Sequence, residues 1–226
     1  MQLMKLPAII PGILFFTNCL AQQKKLLFAD NFNKDSLSSN WIIETTPVKG
    51  SSVSVQKGKL ILDTENGVTI WYKEKITGNF EIEYTRTVIM DSGRNDRLSD
   101  LNQFWMVTDP QNKLFTHKGG FKEYDSLQMY YVGMGGNYNT TTRMRRYDGK
   151  GELKIVGEYK DSSHLLKPNM PYQIRIRFIK DTSQFFVNGE LFFEFTDPAP
   201  FTEGWFAIRS TKSRQVIDDV KIWKLQ

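Results

Sequence analysis

The residues of this 226-residue chain that could do chemistry gather between positions 117 and 147. The stretch holds a histidine, five tyrosines, three arginines and two asparagines. Proton removal beside a carboxylate needs a cation or amide dipole that neutralises the carboxylate, a base that takes the proton and an acid that protonates the leaving oxygen. All three kinds of group are present, so the residue types of the stretch would suit β-elimination beside a carboxylate.

The candidates for base and acid are one histidine and four tyrosines, namely His117, Tyr124, Tyr130, Tyr138 and Tyr147. His117 lies beside two glycines in a predicted loop, and imidazole titrates near neutral pH, which suits a base. Neighbouring residues of a strand point to opposite faces, so one of Tyr130 and Tyr131 belongs to the core and the other to a sheet surface. Which of these groups is the base and which the acid stays open.

A second group of candidates would bind the substrate. Arg143 and Arg145 share a face if this segment is extended, and two guanidinium groups suit a bidentate grip on a carboxylate or sulfate. A solvated basic turn is the alternative. The other binding candidates are two amides that could neutralise a carboxylate and two indoles that could stack on sugars or equally belong to the core: Asn102, Asn137, Trp71 and Trp105.

Other chemistries fit the residues less well. Two distant histidines, with Cys19 as the one cysteine, give little support for a zinc site. The acidic stretch 91–100 lacks the spacing of an EF-hand loop and predicts a surface loop. Glu81 and Glu83 form the nearest carboxylate pair for a glycosidase, but the aspartate between the carboxylates of such sites is missing. We therefore predict no metal and no cofactor.

Short strand-like runs separated by Gly, Asn, Asp and Pro turns dominate the chain from residue 22 onward. Residues 174–178 alternate apolar and charged side chains, which is typical of a strand with one buried face. Lys57-Gly58 and Asn188-Gly189 predict tight hairpins. About a dozen such runs in one domain, residues 22–226, predict an all-β fold of two antiparallel sheets, a jelly-roll sandwich.

The first 21 residues differ from the rest of the chain. A weakly basic start, an apolar run over residues 6–16 and the small residue Ala21 are the layout of a cleaved signal peptide. The apolar run is too short to span a bilayer, which takes roughly 20 residues. We therefore expect a periplasmic or secreted protein without a membrane span. A lipoprotein acylated at Cys19 is the less favoured alternative.

Charge and composition limit the partners. The formal net charge is +5, but the 30 basic and 25 acidic residues are mostly interspersed, as on an ordinary solvated surface. An exported chain has little access to nucleic acid. We expect a monomer whose partner is an acidic oligosaccharide.

Both ends of the predicted domain resemble concanavalin-like glucanase and lectin domains. The resemblance is carried by residues 27–32 followed by Asn40-Trp41, by the late hairpin 185–191, and by the closing runs 204–209 and 217–223. It implies a concanavalin-like sandwich. Because this fold serves enzymes and binding modules alike, the resemblance does not imply a reaction.

The middle of the chain carries a more specific resemblance, through residues 117–125, 127–131 and 135–147. These segments are similar to the YesU-like group of small sandwich proteins and, within it, to oligosaccharide dehydratases of marine bacterial ulvan utilisation. The resemblance implies a carbon–oxygen lyase that eliminates water from a terminal glucuronate and leaves a 4,5-unsaturated sugar. A non-catalytic carbohydrate-binding protein and a hydrolase of modified glycosides are the alternatives.

Overall fold

The computed structural model describes residues 23–226, so the predicted leader at 1–21 lies outside the described residues. Sixteen strands in the described part form two antiparallel sheets. Sheet A contains β1 (Lys24–Asp30), β3 (Ser52–Gln56), β4 (Lys59–Thr64), β7 (Phe80–Ile89), β12 (Pro171–Ile179), β13 (Thr182–Val187), β14 (Glu190–Thr196) and β16 (Ser213–Leu225). Sheet B contains β2 (Trp41–Thr45), β5 (Val68–Tyr72), β6 (Ile76–Thr77), β8 (Leu101–Thr108), β9 (Gln128–Gly135), β10 (Thr141–Asp148), β11 (Leu153–Tyr159) and β15 (Glu203–Ser210).

The strand order is β14-β13-β12-β7-β16-β4-β3 in sheet A, where β1 also pairs with β16. In sheet B it is β11-β10-β9-β8-β15-β5-β2, and β6 pairs with β15. The helical elements are the turn α1 (Gly136–Asn139) and two 3-10 turns, Phe121–Tyr124 and Ser162–His164. The two-sheet antiparallel sandwich predicted from the sequence is confirmed.

The main core fills the space between the two sheets. Sheet A contributes side chains such as Ile82 and Phe178, and sheet B contributes Trp105 and Tyr130, all of them buried. The alternation predicted for residues 174–178 is observed, because Ile174, Ile176 and Phe178 face this core. Burial of about 25 cal/mol per Å² of apolar surface makes this layer the main source of stability.

A second apolar cluster covers part of the outer face of sheet B. It joins side chains of β5, β8, β9, β10 and β15 to the long loop between β8 and β9, and its buried members include Trp71, Phe104, Tyr124 and Tyr147. These buried apolar contacts hold the loop between β8 and β9 against the sheet. Most loops bury far less apolar surface. It shapes the outer face on which the candidate site lies.

Two predicted hairpin turns have the expected geometry. Lys57 and Gly58 have φ values of 51° and 71°, and Asn188 and Gly189 have values of 52° and 85°. Positive φ at both central residues matches the right-handed twist of the flanking strands. Within residues 23–226, no helix is long and apolar enough to cross a membrane.

Candidate functional site

The register of sheet B aligns one polar row across its outer face. Arg143 of β10 pairs with Gly133 of β9, which pairs with Asn102 of β8. Asn102 in turn pairs with Arg209 of β15, and the row continues through Thr69 of β5 to β2. Directly paired residues of antiparallel strands share a face. Residues from six strands are therefore aligned in one row, which ends at Glu44 of β2.

A cleft of about 270 Å³ opens over one end of this row. We call it the arginine cleft, because three arginines line it together with aromatic and small residues. Its lining includes Arg97, Asp100, Phe121, Tyr131, Gly133, Asn137, Tyr138, Arg143, Arg145 and Thr211. Of the residues predicted to act on the substrate, Asn137, Tyr138, Arg143 and Arg145 meet here.

Of the three arginines that line the cleft, Arg145 is the one that forms no ion pair with a described residue. Its guanidinium carbon lies 5.6 Å from the centre of the Tyr131 ring, and its buried Nε has no hydrogen-bond acceptor. By contrast, Arg97 pairs with Asp100 and Arg143 pairs with Glu158. The protein neighbours of Arg145 are Asp125 and Tyr147, whose pKa values its charge lowers against the larger effect of their burial. Because it forms no ion pair with a described residue, Arg145 can still bind an incoming carboxylate or sulfate in the bidentate manner.

Tyr131 supplies a hydroxyl group on the floor of the cleft. The hydroxyl donates a hydrogen bond of 3.0 Å to Asn102 Oδ1. Gly133 makes room for it, since a Cβ there would lie 2.0 Å from the Tyr131 oxygen. Burial, together with the nearby Tyr147 and Asp100, raises the pKa of Tyr131 above its ordinary value, against the effect of Arg145 and Arg209. The phenol therefore keeps its proton at neutral pH.

Tyr138 stands at the rim of the cleft on a strained turn. The φ values of Asn137, Tyr138 and Asn139 are 51°, 58° and 60°, all in the left-handed region. For a tyrosine this conformation costs roughly 1–2 kcal/mol. The side chain is 78% exposed, and the Arg97 guanidinium carbon lies 5.4 Å from its ring centre. Strained residues concentrate at functional sites, and this one presents its phenol to the cleft opening.

Two fully buried arginines add positive charge at the polar row: Arg209 is a member of the row, and Arg86 reaches it from β7 of sheet A. Arg86 donates to the carbonyl oxygens of Asn102 and Arg209 over 2.7 Å each, and to Gln215. Arg209 donates to Gly119 O and Thr211 Oγ1. Neither arginine has an ion pair with a described residue, and burial lowers the pKa of Arg86 to about 10. Their hydrogen bonds to backbone carbonyls connect β7 to β8 and β15, and β15 to the loop between β8 and β9.

His117 and Tyr124 lie at the far end of the outer face, around Glu44 of β2. Glu44 is 3% exposed. Its carboxylate accepts hydrogen bonds from Trp71 Nε1 at 2.7 Å, Tyr124 Oη at 2.9 Å and the His117 backbone at 2.8 Å, and His117 Nδ1 lies at 3.2 Å. Glu44 and Arg143 are five strand spacings apart, roughly 24 Å. Glu44 thus anchors the loop between β8 and β9 through three predicted site residues, namely His117, Tyr124 and Trp71.

Removal of the Glu44 carboxylate should destabilise this anchor. In Glu44→Ala the buried donors of Trp71 and Tyr124 lose their acceptor, and each unsatisfied buried group costs about 1–3 kcal/mol. We expect a loss of about 3 kcal/mol in the free energy of unfolding, measured by urea denaturation. The control is Glu203→Ala, which removes an exposed pair with Lys75 and should change stability by less than about 1 kcal/mol. Equal stabilities of the two variants would contradict the assigned role.

The structure places four other predicted residues away from the cleft opening. Tyr130 and Trp105 lie between the sheets, where Tyr130 donates a 2.7 Å hydrogen bond to Asp197 and Trp105 Nε1 bonds to Ser183. Their side chains face the core because they alternate with Tyr131 and Phe104. Contrary to the prediction, neither side chain lines the arginine cleft. Asn102 and Tyr147 lie behind the cleft wall, each 1% exposed, where Asn102 holds the Tyr131 hydroxyl.

Glu81 and Glu83 lie on sheet A, opposite the arginine cleft. Glu81 pairs with Lys24 and Arg177, and Glu83 accepts a 2.9 Å hydrogen bond from Trp223 Nε1. Both carboxylates therefore have structural partners. The acidic stretch 91–100 is a loop as predicted, and Asp96 within it accepts from two backbone amides and Arg214.

Several residues of the cleft were not singled out from the sequence. Arg97 and Asp100 come from the loop before β8, Phe121 from the 3-10 turn, and Thr211 follows β15. Tyr131 was considered only as the opposite partner of Tyr130. Asp100 was considered only within the acidic stretch 91–100, and the Gly119-Gly120 pair before Phe121 is the sequence signal nearest to the others.

A family model for a domain of unknown function, DUF6250, matches residues 62–220, which is more than half of the chain. The chain belongs to the DUF6250 family. The matched part of this DUF6250 protein includes all of β5 to β15, and thus every residue of the arginine cleft. No curated protein matches the sequence.

Solved structures share the fold of the DUF6250 chain at low sequence identity. A Bacillus subtilis protein of unknown function with a galectin-like fold has a TM-score of 0.73 and 15% identity, over 91% of this chain and 99% of that one. The carbohydrate-binding module CBM66 from Bacillus subtilis has 0.59 and 12%, over 84% and 98%. The catalytic domain of an endo-1,3-β-glucanase (laminarinase) from Thermotoga petrophila has 0.60 and 13%, over 91% and 100%. At such identities the likeness shows the sandwich fold alone.

Proposed function

We propose that this chain is a carbon–oxygen lyase that acts by β-elimination on uronate-containing oligosaccharides of the ulvan type. Its product would carry a 4,5-unsaturated uronyl end. The observation that supports this most is the state of Arg145: a cation without an ion pair in the described chain, beside a protonated phenol, in a solvent-facing cleft. Solved structures of the same fold include a carbohydrate-binding module and a glucanase, which makes a saccharide a reasonable ligand.

Substrate binding in the proposed reaction begins at the arginines. The Arg145 guanidinium would hold the uronate carboxylate and draw charge from it, which makes the proton on C5 acidic. Arg143, on the same face of β10 and paired with Glu158, would contact a neighbouring sulfate. Asn137, at the rim, would add an amide contact.

The chemical steps would then fall to two tyrosines. Tyr138 would serve as the base that takes the proton from C5 at the open side of the cleft, with Arg97 stacked on its ring. The C5 electron pair forms the double bond to C4, and the bond from C4 to the leaving oxygen breaks. Tyr131 would give that oxygen its proton, because its hydroxyl is a hydrogen-bond donor on the floor of the cleft.

Incubation of the folded protein with uronate oligosaccharides tests this proposal. We expect the ultraviolet absorbance of an unsaturated uronyl product to rise with time. When water is the leaving group, the oligosaccharide mass also falls by one water. Carboxyl-reduced oligosaccharides are the matched control and should give no signal, because they lack the group that Arg145 would hold. No signal from any uronate oligosaccharide would refute elimination.

A carbohydrate-binding protein without activity is the second candidate. The observation that favours it is that both histidines of the chain lie outside the cleft: His117 contacts Glu44, and His164 stacks on Tyr159 at 3.7 Å. The cleft then offers no imidazole as a base. Saturable binding of a uronate oligosaccharide that is recovered unchanged would support this candidate over the lyase.

A further inference from the structure

A second cleft of about 350 Å³ lies beside the arginine cleft on the outer face of sheet B. Its lining includes Thr46, Asn66, Lys118, Glu123 and Arg209. Two residues, Phe121 and Thr211, line both clefts. The two clefts therefore meet at Phe121, and each lies over part of the same polar row.

Phe121 is an exposed aromatic side chain, 38% accessible, on a turn that is firmly held. The Arg209 guanidinium carbon lies 5.0 Å from the centre of its ring. Glu123 accepts hydrogen bonds from the Lys118 and Gly120 backbone amides at 2.7 and 3.0 Å. The ring is thus presented in a fixed position, as stacking on a ligand requires.

Glycines fix the height of the turn above the sheet. A Cβ at Gly67 would lie 1.8 Å from Gly119 O, and a Cβ at Gly119 would lie 2.3 Å from Gly67 O. Arg209 Nη2 donates a 3.0 Å hydrogen bond to the same Gly119 oxygen. The close backbone approach therefore holds the segment before Phe121 against the residue that precedes β5.

Arg209 adds positive charge to the second cleft, where Glu65 is paired with Arg94 and Glu123 accepts from backbone amides. The side chain is fully buried, its Nε has no hydrogen-bond acceptor, and no described residue forms an ion pair with it. Arg209 and Arg143 are three strand spacings apart in the polar row, roughly 14 Å. That spacing leaves room for a saccharide chain that crosses the strands from one cleft to the other.

We infer that the second cleft is a distal subsite for the same acidic oligosaccharide, with Phe121 as the stacking platform between the two clefts. The inference rests on the proposed function, because it assumes that a uronate occupies the arginine cleft. The acidic end ring lies at Arg145, the next ring stacks on Phe121, and further rings lie over Arg209. Aromatic walls with a few placed polar groups are typical of ligand sites.

Chain-length dependence of binding tests the subsite. We expect a uronate tetrasaccharide to bind the full chain about tenfold more tightly than the disaccharide in titration calorimetry, a difference of about 1.4 kcal/mol. The double substitution Asn66→Ala/Lys118→Ala should bring the ratio of the two affinities close to one. Lys122→Ala, which removes an exposed charge from the same turn outside both clefts, is the matched control and should keep the ratio.

The outcomes separate the two proposals. Equal affinities of the two oligosaccharides for the unaltered protein would overturn the distal subsite while leaving the arginine cleft intact. A tenfold ratio that survives the double substitution would also overturn it. No binding of either oligosaccharide would refute the proposed function itself. Phe121→Tyr should preserve the ratio and Phe121→Ala should lower it, which distinguishes stacking from a role in folding when both variants unfold like the parent protein.

Discussion

Substitution of Arg145 by methionine should lower the affinity for a uronate tetrasaccharide by about a hundredfold. The side chain keeps most of its apolar stem but loses the one cleft guanidinium without an ion pair in the described chain. Hydrogen bonds to charged groups contribute about 1.5–3 kcal/mol each. Titration calorimetry at fixed salt measures the change.

Arg145→Lys is the informative companion. It keeps the charge but cannot form the two parallel hydrogen bonds of a guanidinium, so we expect an affinity between those of the parent and the methionine variant. Arg175→Met is the matched control, because Arg175 lies on sheet A with its guanidinium carbon 4.1 Å from the Phe186 ring centre. Unchanged binding in Arg145→Met would show that the carboxylate is held elsewhere.

Tyr131→Phe should reduce kcat by about 10²–10⁴-fold, the range for loss of a general acid. The ring remains to pack against Phe104 and Arg145, while the hydroxyl that donates to Asn102 is removed. Substrate binding should change far less than kcat. Initial rates of product absorbance over a range of substrate concentrations separate the two effects.

Tyr159→Phe serves as the control for this variant. It removes a phenolic hydroxyl from β11, where the Tyr159 ring stacks on His164 outside the cleft, and kcat should stay at the parent value. A Tyr131→Phe protein with full kcat would exclude the phenol as the acid and favour a solvent molecule in that role.

Local patterns in the sequence predicted much of the fold. The positive φ angles at Asn188-Gly189 and the alternation of side chains over 174–178 depend only on residues close in sequence. Both features can therefore be predicted from a short stretch of the chain. The same rule correctly placed Tyr130 and Tyr131 on opposite faces. It also placed Arg143 and Arg145 on one face of β10, where both line the cleft.

Which residues form the candidate site depends on contacts between segments that are distant in sequence. His117 and Arg145 are close in sequence, yet the loop between β8 and β9 folds toward β2, because Glu44 provides an acceptor for His117, Trp71 and Tyr124. Arg209 enters the polar row through the pairing of β15 with β8. Neither relation has a signature within a single segment of the chain, since both depend on strand order.

The most direct test of the account is a crystal structure of the protein with a bound uronate tetrasaccharide. We expect the carboxylate of the end ring to lie at hydrogen-bond distance, about 3 Å, from the Arg145 guanidinium. We also expect C5 to face Tyr138, and the leaving oxygen to face Tyr131. A tetrasaccharide bound beside His117 and Glu44, or on the outer face of sheet A, would contradict the account.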